Sequence, residues 1–130
     1  MELVESTLEL IGNTPMVKLQ KLSQEIPADI WVKLEYFNPS GSIKDRIARM
    51  MIEEAEKRGD IKPGDTIIEP TSGNTGIALS YVCAMKGYKM IAVMPEVESA
   101  ERTKMMTLLG AKVELVKCVH IPASPGHQFL

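Results

Sequence analysis

The sequence predicts an α/β fold, an open and twisted parallel sheet with flanking helices, and three observations carry that expectation. Strand-like and helix-like stretches alternate along most of the chain. The run "KMIAVMP" at residues 89–95 is continuously apolar, as a strand covered on both faces must be. Each helical stretch closes on a glycine, at Gly59, Gly87 or Gly110.

The elements follow in order. Residues 15–19 and 29–36 read as strands. "NPSGSIKDR" turns the chain at Pro39 and Gly41, and Ser42 with Asp45 has the spacing of a capping box for a helix over 42–58. Ile43, Ile47, Met50, Met51 and Ala55 recur at helical spacing and predict its buried face. Glu53 with Lys57 and Glu54 with Arg58 stand in the favoured i,i+4 order. After a turn at 62–65 comes a short buried strand, 66–69. A helix then runs from about Asn74 to Lys86, with Ile77, Tyr81, Val82 and Met85 on one side. Ser99 is expected to cap a third helix that stops at Gly110, and "AKVELV" is the next strand. This order implies right-handed crossovers in a parallel sheet. "VHIPASPGHQFL" then breaks the pattern with two prolines and a glycine, and predicts an irregular tail over 118–130, truncated or out of register.

Composition narrows the function. The 130 residues suffice for one core, and a net charge of −2 without a basic stripe argues against nucleic acid and anionic membranes. No apolar run is long enough to cross a bilayer, and the amino terminus lacks the basic-then-apolar order of a signal peptide. Cys83 and Cys118 are too few for a disulfide framework and suit a reducing, cytoplasmic setting. Cys83 reads as a small core hydrophobe, and the nine methionines as core filler. Cys118 and His120 do not make a zinc site by themselves, so no metal is expected.

Two stretches carry chemistry. "EPTSGNTG", residues 69–76, joins the end of a strand to the start of a helix, where open α/β sheets bind ligands. It offers hydroxyls from Thr71, Ser72 and Thr75, the Asn74 amide and backbone N–H groups, with Gly73 and Gly76 allowing close approach. Such a loop suits a phosphate or carboxylate; it also suits plain helix capping. It matches neither the P-loop nor the dinucleotide fingerprint. The second stretch sets Lys44 in the first turn of a helix, where a cation is disfavoured. That effect, roughly 0.3–1 kcal/mol, is too small to neutralise an amine near pH 7, whereas burial in a cleft adds several pKa units. Lys44 is thus a solvated surface lysine or one suited to an imine with a carbonyl.

Together, "ELIGNTPMVKL", "NPSGSIKDR", "EPTSGNTG" and "VMPEVESAERTKMMTLLGAKVELV" resemble the cysteine synthases of the cysteine synthase/cystathionine β-synthase family, pyridoxal-phosphate enzymes of fold type II. The resemblance runs from about Leu8 to Val116. It implies that Lys44 carries pyridoxal 5′-phosphate and acts as the catalytic base. It implies that Asn74 hydrogen-bonds the cofactor, and that Thr71, Ser72, Gly73, Asn74 and Thr75 grip the substrate carboxylate. The implied reaction replaces the acetoxy group of O-acetylserine by sulfide in two half-reactions, giving cysteine and acetate, and the implied assembly is a homodimer. By the same resemblance residues 1–35 belong with a larger domain and 36–117 form a small α/β domain. The family's glycine-rich phosphate loop is not in this sequence, so weak or absent activity is expected of the chain alone. The competing expectations are a cystathionine β-synthase-like activity and a non-catalytic fragment that binds a full-length synthase.

Overall fold

The computed structural model describes residues 3–24, 26–97 and 100–117. Strands β1 (Met16–Lys18) and β2 (Trp31–Lys33) pair antiparallel as a separate ribbon, with Val17 opposite Val32. The remaining elements are α1 (Lys44–Arg58), β3 (Thr66–Pro70), α2 (Asn74–Lys86), β4 (Lys89–Pro95), α3 (Ala100–Leu108) and β5 (Lys112–Val116). The parallel sheet runs β3-β4-β5, with Ile68 beside Ile91 and Val93 beside Glu114. The two strand-like stretches before residue 37 therefore stand apart from the parallel sheet.

Residues paired across a parallel ladder share a face, so the register sorts the side chains. Ile67, Met90, Ala92, Met94 and Val113 face the core with Ala78, Leu79, Val82 and Met106. Helices α2 and α3 touch each other and cover this face, and α1 packs on α2. Enclosed between α1 and the sheet, α2 is buried all the way round from Gly76 to Cys83. That is why its sequence is apolar on every side. The buried Ser80 hydroxyl donates to the Gly76 carbonyl at 2.7 Å, so it adds no unpaired polar atom.

Several expectations change on folding. The run "KMIAVMP" alternates fully buried with half-buried residues, so only one face of β4 is closed. On the other face Ile68 and Val116 stay open. In α1 the buried positions are Asp45, Ala48 and Ile52, a different face from the predicted one. Ile43, Ile47, Met50 and Met51 are 43–57% exposed. The buried face, with Ala48 and Ile52, packs on α2 and leaves the large apolar side chains of the predicted stripe outward. The methionines divide likewise, with Met90, Met94 and Met106 buried and Met16, Met50, Met51, Met85 and Met105 about half exposed. Ion pairs on α1 join Arg49 to Glu53 and Lys57 to Glu54, while Arg58 reaches Asp60, so the expected i,i+4 partners are exchanged. Gly59, Gly87 and Gly110 take the left-handed conformation that ends a helix. Ser99, Cys118, His120 and the tail lie outside the described residues.

Candidate functional site

Lys44 is the first residue of α1 and Asn74 the first of α2. Lys86 near the carboxyl end of α2 pairs with Glu56 near the carboxyl end of α1 at 2.7 Å, and the Tyr88 hydroxyl donates to the same carboxylate at 2.9 Å. Two helices that pack along each other and share their carboxyl ends also share their amino ends. Lys44 and the 71–75 loop therefore lie at one end of the helical layer.

The loop leaves β3 through a hydrogen bond from the Thr71 N–H to the Val93 carbonyl, 2.9 Å, and is braced by the Arg102 guanidinium donating to the Ser72 carbonyl at 3.0 Å. Gly73 is the cap residue of α2 in extended conformation, and no side chain caps this helix. The N–H groups of its first turn thus keep their capacity for an anion. Thr71, Ser72, Gly73 and Thr75 are half-buried and Asn74 is exposed. The glycines differ. A side chain on Gly73 would meet nothing within 4 Å, whereas a Cβ on Gly76 would sit 2.6 Å from Thr71 Cγ2 and 2.7 Å from Met106 Sδ. Gly76 thus serves the close packing of α2 on Met106 of α3 and on Thr71.

The turn around Lys44 is built differently from the expected capping box. Ser42 Oγ accepts from the Lys44 N–H at 3.2 Å, but the cap residue Ile43 is already helical and makes no side-chain cap. Asp45, fully buried, reaches back past Ser42 to Ser40, accepting from its N–H at 2.7 Å and from its hydroxyl. Arg46 makes a two-pronged pair with Glu35, both bonds 2.9 Å. Glu35 also accepts from Thr14 Oγ1 at 2.8 Å and Asn38 Nδ2 at 2.9 Å. Hydrogen bonds from Arg46, first, and Thr14 hold the Glu35 carboxyl far below its usual 4.5, at about 2. The Lys44 ammonium, half-buried, has no hydrogen bond or ion pair among the described residues. Sequence reasoning missed Thr14, Glu35, Asn38 and Arg46 as a unit, because their spacings of 21 and 11 residues leave no local signature. All but Glu35 lie inside the quoted motifs, which is the one signal available.

Cys83 is buried in the core as expected, and burial pushes its thiol up to about 11, so it is not poised as a nucleophile. No helix among the described residues is long and apolar enough to cross a membrane.

Known proteins resemble this α/β chain over most of its length. Residues 7–127 match the family described as pyridoxal-phosphate dependent enzyme, and the chain belongs to it. It is 56% identical over 112 residues to a cysteine synthase of Staphylococcus aureus, covering 86% of this chain and 36% of that protein. It is 59% identical to cysteine synthase B of Salmonella typhimurium (85% and 37% covered) and 52% identical to a probable cysteine synthase of Bacillus subtilis (88% and 37%). Among solved structures it superposes on a hydrogen sulfide-producing enzyme from Fusobacterium nucleatum with a TM-score of 0.86 at 50% identity, covering 90% of this chain and 38% of that one. It matches an O-ureido-L-serine synthase with a TM-score of 0.85 at 47% identity (89% and 36% covered). The chain thus spans little more than a third of the length of these relatives.

Proposed function

We propose that this chain is the lysine-bearing portion of a cysteine synthase-type catalytic unit, which replaces the acetoxy group of O-acetylserine by sulfide, the Cβ–O bond breaking to release acetate. The observation that carries the reading is the pairing of helix starts: Lys44, with no carboxylate partner among the described residues, opens α1 at the end of the layer where the uncapped 71–75 loop opens α2.

The residues fit pyridoxal phosphate in their donor chemistry. Lys44 would hold it covalently and Asn74 would donate to a ring oxygen. When bound, the cofactor supplies an electron-withdrawing ring that stabilises negative charge on the substrate's α-carbon. The chain's own residues do the rest. The N–H groups at the start of α2, with the Thr71, Ser72 and Thr75 hydroxyls, bind the substrate carboxylate and fix the direction of its α-hydrogen. The Lys44 amine takes that proton as general base and later returns it, so acetate leaves before sulfide enters and the kinetics are ping-pong. Substrates are small molecules, and the setting is cytosolic.

Uncovered apolar surface belongs to the same reading. Ile43, Ile47, Met50 and Met51 along α1, and separately the outer face of β3 to β5, are two apolar surfaces that a larger body would cover. We assign residues 1–35 to that body's domain, 36–117 to the small domain, and the assembled enzyme to a homodimer. Alone, the 130 residues should turn over weakly or not at all, since the sequence carries no glycine-rich phosphate loop. The test is cysteine formation from O-acetylserine and sulfide with excess cofactor. A rate in the ordinary enzymatic range of roughly 1–10³ s⁻¹ would sink this expectation. Acquisition of activity on adding the remaining portion of such an enzyme, lost with Lys44→Ala, supports it.

A further inference from the structure

We infer that Glu35 and Arg46 form a positioning device for Lys44, an inference that rests on the reading of Lys44 as the cofactor-bearing lysine. The start of α1 has no side-chain cap at its cap residue, so something else must fix the direction in which its first residue points. The residues just after Lys44 do so by reaching backward. Asp45 ties the helix to Ser40, and Arg46 ties it to Glu35 by a two-pronged pair. Asp45 thus closes on the 38–43 turn from which Lys44 emerges, and Arg46 closes on Glu35 just ahead of it.

Glu35 is itself held. Its carboxylate accepts from Arg46 Nε and Nη2, Thr14 Oγ1 and Asn38 Nδ2, all at 2.8–2.9 Å. Asn38, only 3% exposed, donates to the Glu35 carbonyl at 2.8 Å and accepts the Gly12 N–H at 2.8 Å. Gly12 has a φ of +90°, and a Cβ there would stand 3.0 Å from Arg46 Nη1, so the glycine lets the guanidinium lie flat against the backbone. Three distant segments, 12–14, 35–38 and 45–46, therefore converge on one turn, and a planar fork fixes angle as well as distance. The pair also neutralises the cation nearest in sequence to Lys44. The Lys86–Glu56 pair, joined by the Tyr88 hydroxyl, ties the far ends of α1 and α2 and serves as the contrast.

The test reads where pyridoxal phosphate attaches. The purified chain is mixed with the cofactor, reduced with borohydride and digested, and the label on each lysine is measured by mass spectrometry. In the wild type the label concentrates on Lys44. In Glu35→Gln, and in Arg46→Lys, which keeps the charge and loses the fork, the Lys44 share falls roughly tenfold, the cost of sub-ångström misplacement of a reacting group. Glu56→Gln, which breaks a pair at the far end of the same helix, labels as wild type. Circular dichroism confirms folding, and if Glu35→Gln does not fold, Arg46→Lys decides. Unchanged labelling of Lys44 in folded variants overturns the inference, as does an equal loss in Glu56→Gln. Absence of preference for Lys44 in the wild type overturns the underlying reading and the inference with it.

Discussion

Helices α1 and α2 begin at the same end of the molecule, yet one buries what its sequence advertises and the other does not. α2 is apolar all round and is enclosed all round. α1 carries a clean apolar stripe, Ile43, Ile47, Met50 and Met51, and turns it outward, burying Asp45, Ala48 and Ile52 instead. An apolar stripe therefore states what a helix is able to bury, and the neighbour that packs on it decides which side is buried in this chain. In α1 that choice has a use: the inward side holds the Asp45 tether that shapes the Lys44 turn.

The comparison can be broken most directly by truncating equivalent side chains. Leu79→Ala in α2, at a site 1% exposed, should cost about 2–5 kcal/mol in urea unfolding. Met50→Ala in α1, at 57% exposed, should stay within about 0.5 kcal/mol, and a loss as large as that of Leu79 would show that the stripe is covered in solution.

The two loop glycines sharpen the contrast at the head of α2. Gly76→Ala must push against Thr71 and Met106 and should destabilise by about 1–3 kcal/mol. Gly73→Ala meets no protein atom and should leave the melting temperature in place while weakening carboxylate binding in a titration with the substrate amino acid.

Acid separates the helices again. The Glu35 carboxyl is lowered from 4.5 to about 2 in the folded chain, chiefly by Arg46, so the unfolded chain binds its proton first as pH falls. The contribution of this pair to stability is complete above pH 4.5 and is lost as pH falls from there toward 2. Thermal unfolding across that window should lose less stability in Glu35→Gln than in the wild type; identical slopes would contradict the assignment.

Much of this was legible in sequence. Alternation of periods gave the parallel sheet and the helices that cross between β3, β4 and β5, because each crossover unit is local, but it also counted residues 29–36 into that sheet, where they pair with β1 instead. Glycines at helix ends were legible for the same reason, since each solves a problem of one residue's backbone. The motif around Lys44 and the loop at 71–75 could be named, and their common end of the layer follows from two helices whose order the sequence already gave. What escaped was long-range. The antiparallel pairing of β1 with β2, the Thr14–Glu35–Asn38–Arg46 network and the inward face of α1 all depend on side chains separated by tens of positions. Asp45 shows the limit well: its spacing from Ser42 reads as a capping box, yet its carboxylate prefers Ser40, where the turn brings both an N–H and a hydroxyl within reach.

The central claim is that Lys44 is the residue to which pyridoxal phosphate attaches. It is tested most directly by the visible absorption spectrum of the purified chain with excess pyridoxal phosphate, recorded for the wild type and for Lys44→Ala. A band of lysine-linked cofactor is expected in the wild type and not in the variant. No band in the wild type, or one that survives the loss of Lys44, would contradict it.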